Sequence, residues 1–284
     1  MDNRRMIDLH PDTRDAAARL RRWLDGYRHV FVLTGAGCST ASGIPDYRDA
    51  SGGWKRTPPV NYRDFVEDPE VSARYWARSF VGWPIVARAE PNAAHRALAR
   101  AQSVGWLSQL VTQNVDGLHE RAGSSGVIDL HGRIDEVVCL RCATRYARAQ
   151  VQQRLARDNP QWAGLSAEAA PDGDADLEGR DFSGFKVPAC ETCGGILKPD
   201  VVFFGENVPR TRYEQARAAL EKSDALLVVG SSLMVYSGFR FARMAYEAGQ
   251  PIALLNQGKT RADDLASLKI EADCAATLEH ALIS

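Results

Sequence analysis

Short apolar runs alternate along this chain with stretches whose apolar positions return every three or four residues. "DAAARLRRWLDGY" places Leu20, Trp23 and Leu24 on one face and predicts an amphipathic helix. "HVFVLTGAGCST" follows. Its apolar run, Val30 to Leu33, predicts a strand that breaks into a glycine-rich turn, with a helix starting at Ser39 or Thr40. "NAAHRALARAQSVG" predicts a helix, "LSQLVTQN" a strand and "GVIDLHGRI" another strand. "YEQARAALEKSD" predicts a helix, "ALLVVGSSL" a buried strand, "FRFARMAYEAG" a helix stopped by Gly249, and "PIALLNQG" a strand. Helices alternating with wholly apolar strands predict an α/β protein with a doubly wound, parallel, Rossmann-like sheet covered on both faces.

Two segments break this rhythm. Residues 50–92 are rich in aromatics and prolines without a strand pattern, and residues 135–195 carry two cysteine pairs and the polar run "EAAPDGDADLEGRD". The chain therefore divides into a nucleotide-binding domain in three parts (1–49, 93–134 and 196–284), a helical module (50–92) and a small metal-binding domain (135–195). The polar run reads as a loop inserted in the latter.

Composition narrows the function classes. A formal net charge of −1 over 284 residues disfavours a general nucleic-acid binder, because phosphate contacts need a basic surface. No apolar run approaches the roughly 18 residues that cross a bilayer. "MDNRRMIDLHPDTRD" lacks the apolar centre of a signal peptide, so a cytoplasmic protein is expected. Four of the six cysteines form Cys-x-x-Cys pairs, Cys139/Cys142 and Cys190/Cys193, with 47 residues between the pairs. In a reducing compartment the arrangement reads as one tetrahedral zinc site rather than disulfides. Four thiolates leave no open position for water, so the metal is expected to be structural.

The remaining chemistry collects at predicted strand ends. "GAGCSTASGIP" lacks the full G-x-G-x-x-G fingerprint, and alone it reads either as a tight turn or as a diphosphate cradle. "TQNVD", "GSSL" and "LNQG" are also polar strand ends, and nucleotides bind at the carboxyl ends of strands in such sheets. His131 ends a predicted strand before Gly132, where a structural role competes with catalysis. His119 reads as structural or exposed, and the aromatics of "YWARSFVGW" read as core.

Taken together, "GAGCSTASGIPDYRD", "TQNVDGLH", "LHG", the cysteine pairs, "KPDVVFFGE", "GSSL" and "LNQG" occur in the order found in the sirtuin family of NAD-dependent protein deacylases. The chain resembles that family from about Val30 onward. "RYWARSFVGWP", "APDGD", "FFGE" and "MVYSG" are most similar to the mitochondrial-type lipoamidase/ADP-ribosyltransferase branch and its bacterial relatives. The resemblance implies that Gly35, Ala36, Gly37 and Ser39 cradle the phosphates of NAD, and that Asp46, Tyr47 and Arg48 lie on a mobile cofactor loop. Tyr47 stands where the family more often has Phe. Gln113, Asn114 and Asp116 are implied around the nicotinamide ribose and amide, and Asn114 is counted with His131 as catalytic. Gly230, Ser231, Ser232, Asn256, Gln257, Gly258 and Cys274 are implied on the adenosine side. Val202, Phe203, Phe204 and Gly205 would pair with an acyl-lysine peptide by strand addition. Ser237 replaces a proline common in the family.

The implied reaction needs orientation and water exclusion while nicotinamide leaves, then a general base for a ribose hydroxyl. His131 with a pKa near the ordinary value of about 6.5 would suit that role. Tyr75 and Arg78 form a Tyr-x-x-Arg pair on one helix face, similar to the signature by which the desuccinylase branch recognises an acyl-chain carboxylate. The competing reading is packing for Tyr75 and a surface role for Arg78. Mono-ADP-ribosyl transfer at the same site, and a non-enzymatic NAD-binding regulator, are the alternatives.

Overall fold

The computed structural model describes residues 11–55, 59–165, 175, 177 and 179–282. Most of the polar run "EAAPDGDADLEGRD" and the first ten residues lie outside the described residues.

The chain begins with α1 (Pro11–Leu24) and β1 (Val30–Thr34). The helical module holds α2 (Tyr62–Glu67) and α3 (Pro69–Arg88), and α4 (Ala93–Ser103), β2 (Leu107–Thr112), the short α5 (Leu118–Arg121) and β3 (Ile128–Asp129) follow. Next come β4 (Gly132–Cys139), β5 (Arg145–Ala147), α6 (Arg148–Asp158) and β6 (Leu197–Val201). The chain closes with α7 (Arg210–Glu221), β7 (Ala225–Val229), α8 (Tyr236–Glu247), β8 (Ile252–Leu255), β9 (Leu268–Ile270) and α9 (Cys274–Leu282).

Six strands form one parallel sheet in the order β3-β2-β1-β7-β8-β9. Every residue of β1, β7 and β8 is buried, which is why these strands read as unbroken apolar runs. Leu20, Leu98 and Leu278 of α1, α4 and α9 pack with Val32, Leu227 and Leu255 on one side of the sheet. Leu220 and Phe241 of α7 and α8 pack with Phe31, Leu226 and Val228 on the other. The sheet order reverses direction at β1/β7, so the ends of these two strands open the crevice that such folds use for ligands.

Two local expectations change. No α-helix follows the "GAG" turn. Ala36–Cys38 and Thr40–Ser42 form two single 3₁₀ turns separated by Ser39, because the chain turns away to run along the cavity instead of back along the sheet. "GVIDLHGRI" is not one strand. It splits at Leu130–His131: β3 joins the large sheet and β4 joins an antiparallel sheet ordered β5-β4-β6. Gly132 makes the change of direction at φ 85°, and an added Cβ would sit 1.9 Å from the carbonyl oxygen of Asp200. The small sheet thus draws its strands from residues 132–201, with β5 and β6 pairing on either side of β4.

Candidate active site

The strand ends of β1, β2 and β7 meet around a cavity of about 420 Å³, a size ordinary for a cofactor or drug-sized ligand. The floor is set by two loops that cross closely. Gly37 N–H donates to the Gly230 carbonyl at 2.8 Å, and Gly35 N–H donates to that of Val229 at 3.0 Å. Gly230 has φ 60°, and a Cβ there would stand 2.3 Å from the Cys38 nitrogen. Gly35, Ala36, Gly37, Ser39, Gly230, Ser231 and Ser232 all line the cavity.

The β2 end supplies the amides and the carboxylate. Asn114 donates from Nδ2 to the Gly35 carbonyl at 3.1 Å and to Ser39 Oγ at 3.0 Å. Ser39 Oγ donates to Asp116 at 2.7 Å, and Asp116 also accepts from Leu118 N–H at 2.9 Å. Burial pushes the Asp116 carboxyl above its ordinary pKa despite these donors. Gln113 Nε2 donates to Ser231 Oγ at 2.7 Å, joining the β2 and β7 ends. These groups hold one another in place before any ligand arrives.

His131 sits at the break between the two sheets and faces the cavity. Its Nδ1 is 2.9 Å from the Gln113 carbonyl oxygen, which accepts only, so Nδ1 carries the proton. Nε2 is then the lone-pair nitrogen, and Ser237 Oγ donates to it at 2.8 Å. Burial lowers the His131 pKa to about 4, with the Arg212 and Arg240 charges acting in the same direction. The expectation of a near-ordinary value is corrected here: desolvation outweighs the Gln113 hydrogen bond. The ring is neutral at pH 7, as a proton acceptor must be, but a weaker base.

Asp46, Tyr47 and Arg48 line the cavity too. Arg48 stacks on Trp54 with its guanidinium carbon 3.8 Å from the ring centroid, and Lys55 pairs with Asp46. Trp54 also meets Phe204 edge-on at 5.6 Å, so the loop that carries Asp46, Tyr47 and Arg48 rests on the segment Val202–Gly205. That segment is anchored by Val202 N–H to the His131 carbonyl (2.8 Å), Tyr62 N–H to the Phe204 carbonyl (2.8 Å) and Phe203 N–H to Glu206 (2.6 Å). Asn256 and Gln257 line the far end.

Gly258, Cys274 and Arg78 are not among the cavity-lining residues. Gly258 abuts the cofactor loop at Ala50, and the Cys274 thiol is buried against the Leu255 carbonyl with its pKa pushed up to about 12. Tyr75 lines the cavity, packed between Phe65 (5.3 Å) and Phe203 (4.9 Å). Arg78 Nε donates to the Ala175 carbonyl at 3.1 Å, so the Tyr-x-x-Arg pair does not converge on the cavity. Helical spacing places Cα atoms on one face but leaves a long side chain free to diverge. Trp54, Glu206 and Arg240 were not singled out in the sequence. Their signal lies in the fold, since each comes from a different loop or helix.

The four paired cysteines come together. Their sulfurs all lie within 4.8 Å of one another, with Cys139–Cys193 at 3.5 Å and Cys142–Cys190 at 3.6 Å. A disulfide needs about 2.05 Å. Tetrahedral Zn–S bonds of about 2.3 Å place sulfurs roughly 3.8 Å apart, so the set fits one zinc ion. Cys38, His95 and His119 form a second close group, fully buried. His119 Nε2 bonds Thr34 at 2.9 Å and His95 Nδ1 accepts from Asn92 N–H at 3.2 Å. His95 must therefore keep its proton on Nε2, which closes that nitrogen to a metal. Burial lowers both histidines, His95 to about 4, and the group acts as a neutral support beneath the glycine turn.

A profile of the Sir2 family matches residues 35–237, spanning the glycine turn, the amide cluster, His131 and the cysteine sites. The chain belongs to the Sir2 family. Among Sir2-family relatives, it is 61% identical to an NAD-dependent protein deacetylase of Bordetella bronchiseptica, over 90% of this chain and 93% of that one. It is 60% identical to another of that description from Xanthomonas campestris pv. campestris, over 91% and 88%. The structure of Sir2 with a p53 peptide and NAD+ superposes with a TM-score of 0.69 at 30% identity, covering 92% of this chain and 94% of that one. A Sir2 complex with 2'-O-acetyl-ADP-ribose and deacetylated p53 peptide gives 0.72 at 31%, covering 92% and 95%. For this Sir2-family chain, among the described residues no helix is long and apolar enough to cross a membrane.

Proposed function

We propose that this protein is an NAD-dependent protein-lysine deacylase that releases nicotinamide and leaves the acyl group on ADP-ribose. The observation that carries the reading is His131: its Nδ1 proton is tied to the Gln113 carbonyl, and its Nε2 lone pair faces the same cavity as the glycine turn. The four-cysteine cluster supports a structural zinc. No disulfide links the six cysteines, which suits a reducing compartment, and we assign the protein to the cytoplasm on that ground.

When bound, NAD supplies the glycosidic bond whose cleavage releases nicotinamide. Gly35, Ala36, Gly37 and Ser39 form the diphosphate cradle, where the glycines let the phosphates approach the backbone closely, and Ser231, whose Oγ accepts from Gln113, stands beside it on the adenosine side. Asn114, Gln113 and Asp116 orient the nicotinamide ribose, and Ser232, Asn256 and Gln257 hold the adenosine. Gly258 and Cys274 act behind this surface, by fixing the cofactor loop and the β8 end. Tyr47, Trp54 and Phe204 exclude water, and Asp46 and Arg48 hold the loop over the cavity. The acyl-lysine peptide extends along Val202–Gly205, with its acyl chain directed toward Tyr75. His131 Nε2 accepts a proton from a ribose hydroxyl, which takes the place of Ser237 Oγ as its partner.

The test combines purified protein, NAD and an acyl-lysine peptide panel, with nicotinamide release and mass spectrometry as readouts. Acyl-ADP-ribose and unmodified lysine peptide are expected, and both should be lost in His131→Ala while the fold is retained. Nicotinamide release that yields ADP-ribosylated protein and no deacylated peptide would overturn the assignment.

A further inference from the structure

The first turns of α8 carry Tyr236, Ser237 and Arg240 into the wall of the cavity that holds His131. Arg240 stands one turn after Ser237, the residue bonded to His131. Its guanidinium carbon is 4.7 Å from the Tyr213 ring centroid and 5.4 Å from that of Tyr236. Two rings thus lie within cation–π reach of it. Its Nε is buried and has no hydrogen-bond partner. No carboxylate pairs with it among the described residues.

The cavity's other charges are compensated. Lys55 pairs with Asp46, Lys198 pairs with Glu206 at 2.9 Å, and Asp116 accepts from Ser39. Arg48 donates to the Gly52 carbonyl at 2.9 Å and stacks on Trp54. Arg240 is the exception among them. A second cation reinforces it: Arg261 lies 4.4 Å from the Phe239 centroid and 6.0 Å from that of Tyr236. Tyr236 itself is 47% exposed, and Arg240 lines the same cavity as His131, whose ring its charge influences. A planar guanidinium that lies beside aromatic rings in the cavity wall, with no carboxylate paired to it among the described residues, matches a ligand carboxylate, which can take two parallel hydrogen bonds. A half-buried cation left unpaired is costly, and a ligand carboxylate would relieve that cost.

We propose that Arg240 is the site at which this enzyme recognises a carboxylate carried by its substrate, either at the far end of the acyl chain or on a side chain flanking the acyl-lysine. The inference rests on the deacylase reading and assigns the acidic preference to α8, not to the Tyr75–Arg78 pair.

The experiment uses the full chain as wild type, Arg240→Met and Arg240→Lys, with folding checked by circular dichroism. One peptide frame carries acetyl-lysine between alanines, glutaryl-lysine between alanines, or acetyl-lysine flanked by glutamates. The readout is the ratio of kcat/KM for each acidic peptide to that for the neutral one, taken at one pH so that effects on His131 cancel. The wild type should favour at least one acidic peptide by about tenfold. Arg240→Met should bring that ratio to about one, and Arg240→Lys should restore part of it. The glutaryl and glutamate arms identify which carboxylate is read. Equal ratios in wild type and Arg240→Met overturn the proposal. So does a raised KM for NAD with the ratios intact, which would make Arg240 a phosphate contact. Fluorescence anisotropy with labelled forms of the same peptides, without NAD, separates the two readings. Arg240-dependent binding of acidic peptides without turnover would sustain the site and sink the deacylase assignment. Binding that is indifferent to charge and to Arg240 would sink the site.

Discussion

Replacing Gly230 by alanine should damage cofactor binding more than any backbone argument alone allows. The new Cβ would lie 2.3 Å from the Cys38 nitrogen and 2.6 Å from the Gly37 carbonyl carbon, both backbone atoms that no side-chain rotation can move. The φ of 60° adds about 1–2 kcal/mol for an L residue in the left-handed region. Relief of the overlap requires the Gly35–Cys38 loop to retreat. That weakens the Gly37-to-Gly230 and Gly35-to-Val229 hydrogen bonds, each worth about 1 kcal/mol net. The total loss is about 3–4 kcal/mol, which lowers Tm by roughly 10 °C for a domain of this size. Displacement of this loop, the proposed phosphate cradle, by about 1 Å should raise the KM for NAD on the order of 100-fold. Gly249→Ala is the matched control. It has φ 69° and nothing within 4 Å of the added Cβ, so it should show the backbone cost alone and an unchanged KM for NAD. Thermal melts and initial rates of nicotinamide release measure both. If the two variants lost the same stability and the same NAD affinity, the close crossing of the two loops would not be what demands glycine.

Three further outcomes follow from the geometry. Metal analysis should find one zinc per chain, and Cys190→Ala or chelation should destabilise the small domain by several kcal/mol; well-folded, active, zinc-free protein would contradict the cysteine site. Because the proposed base is the neutral His131 ring and burial lowers its pKa to about 4, deacylation should hold as pH falls below neutrality and fail only as pH drops through that value; an acid limb centred near the ordinary value of about 6.5 would show that burial does not depress the ring. Arg78→Met should lower activity on acetyl- and glutaryl-peptides by the same factor, because Arg78 bonds the Ala175 carbonyl; a selective loss on glutaryl-peptide would restore the sequence-based pairing with Tyr75.

Much of the site is legible in one dimension because a parallel sheet gathers its strand ends at one edge. "GAG", "TQN" and "GSS" each end an apolar run, and that pattern alone brings Gly35, Asn114 and Ser231 together. Other parts depend on three-dimensional partners. "GVIDLHGRI" has an unbroken strand composition, yet β4 finds better partners in β5 and β6 than a continuation of the large sheet offers. The "GAG" turn carries helix-start residues, but Ser39 is claimed by Asn114 and Asp116 and does not cap a helix. The Ser237–His131 bond joins residues 106 positions apart, with no local signal in either segment. His119, read as structural or exposed, is buried 2.9 Å from Thr34 under the turn.

His131 and Cys139 flank a single element. The histidine immediately precedes β4 and the cysteine is its last residue, so one strand, irregular between Arg133 and Val137, joins the proposed base to the four-sulfur cluster. Such a strut makes the two sites thermodynamic partners. If loss of zinc loosens β4 and weakens ligand binding, then ligand binding must tighten the hold on zinc by the same factor. Protein saturated with NAD and peptide should therefore surrender its metal to a chelator more slowly than the free enzyme. The occupancy of a remote, chemically inert ion becomes a gauge of what the cavity contains.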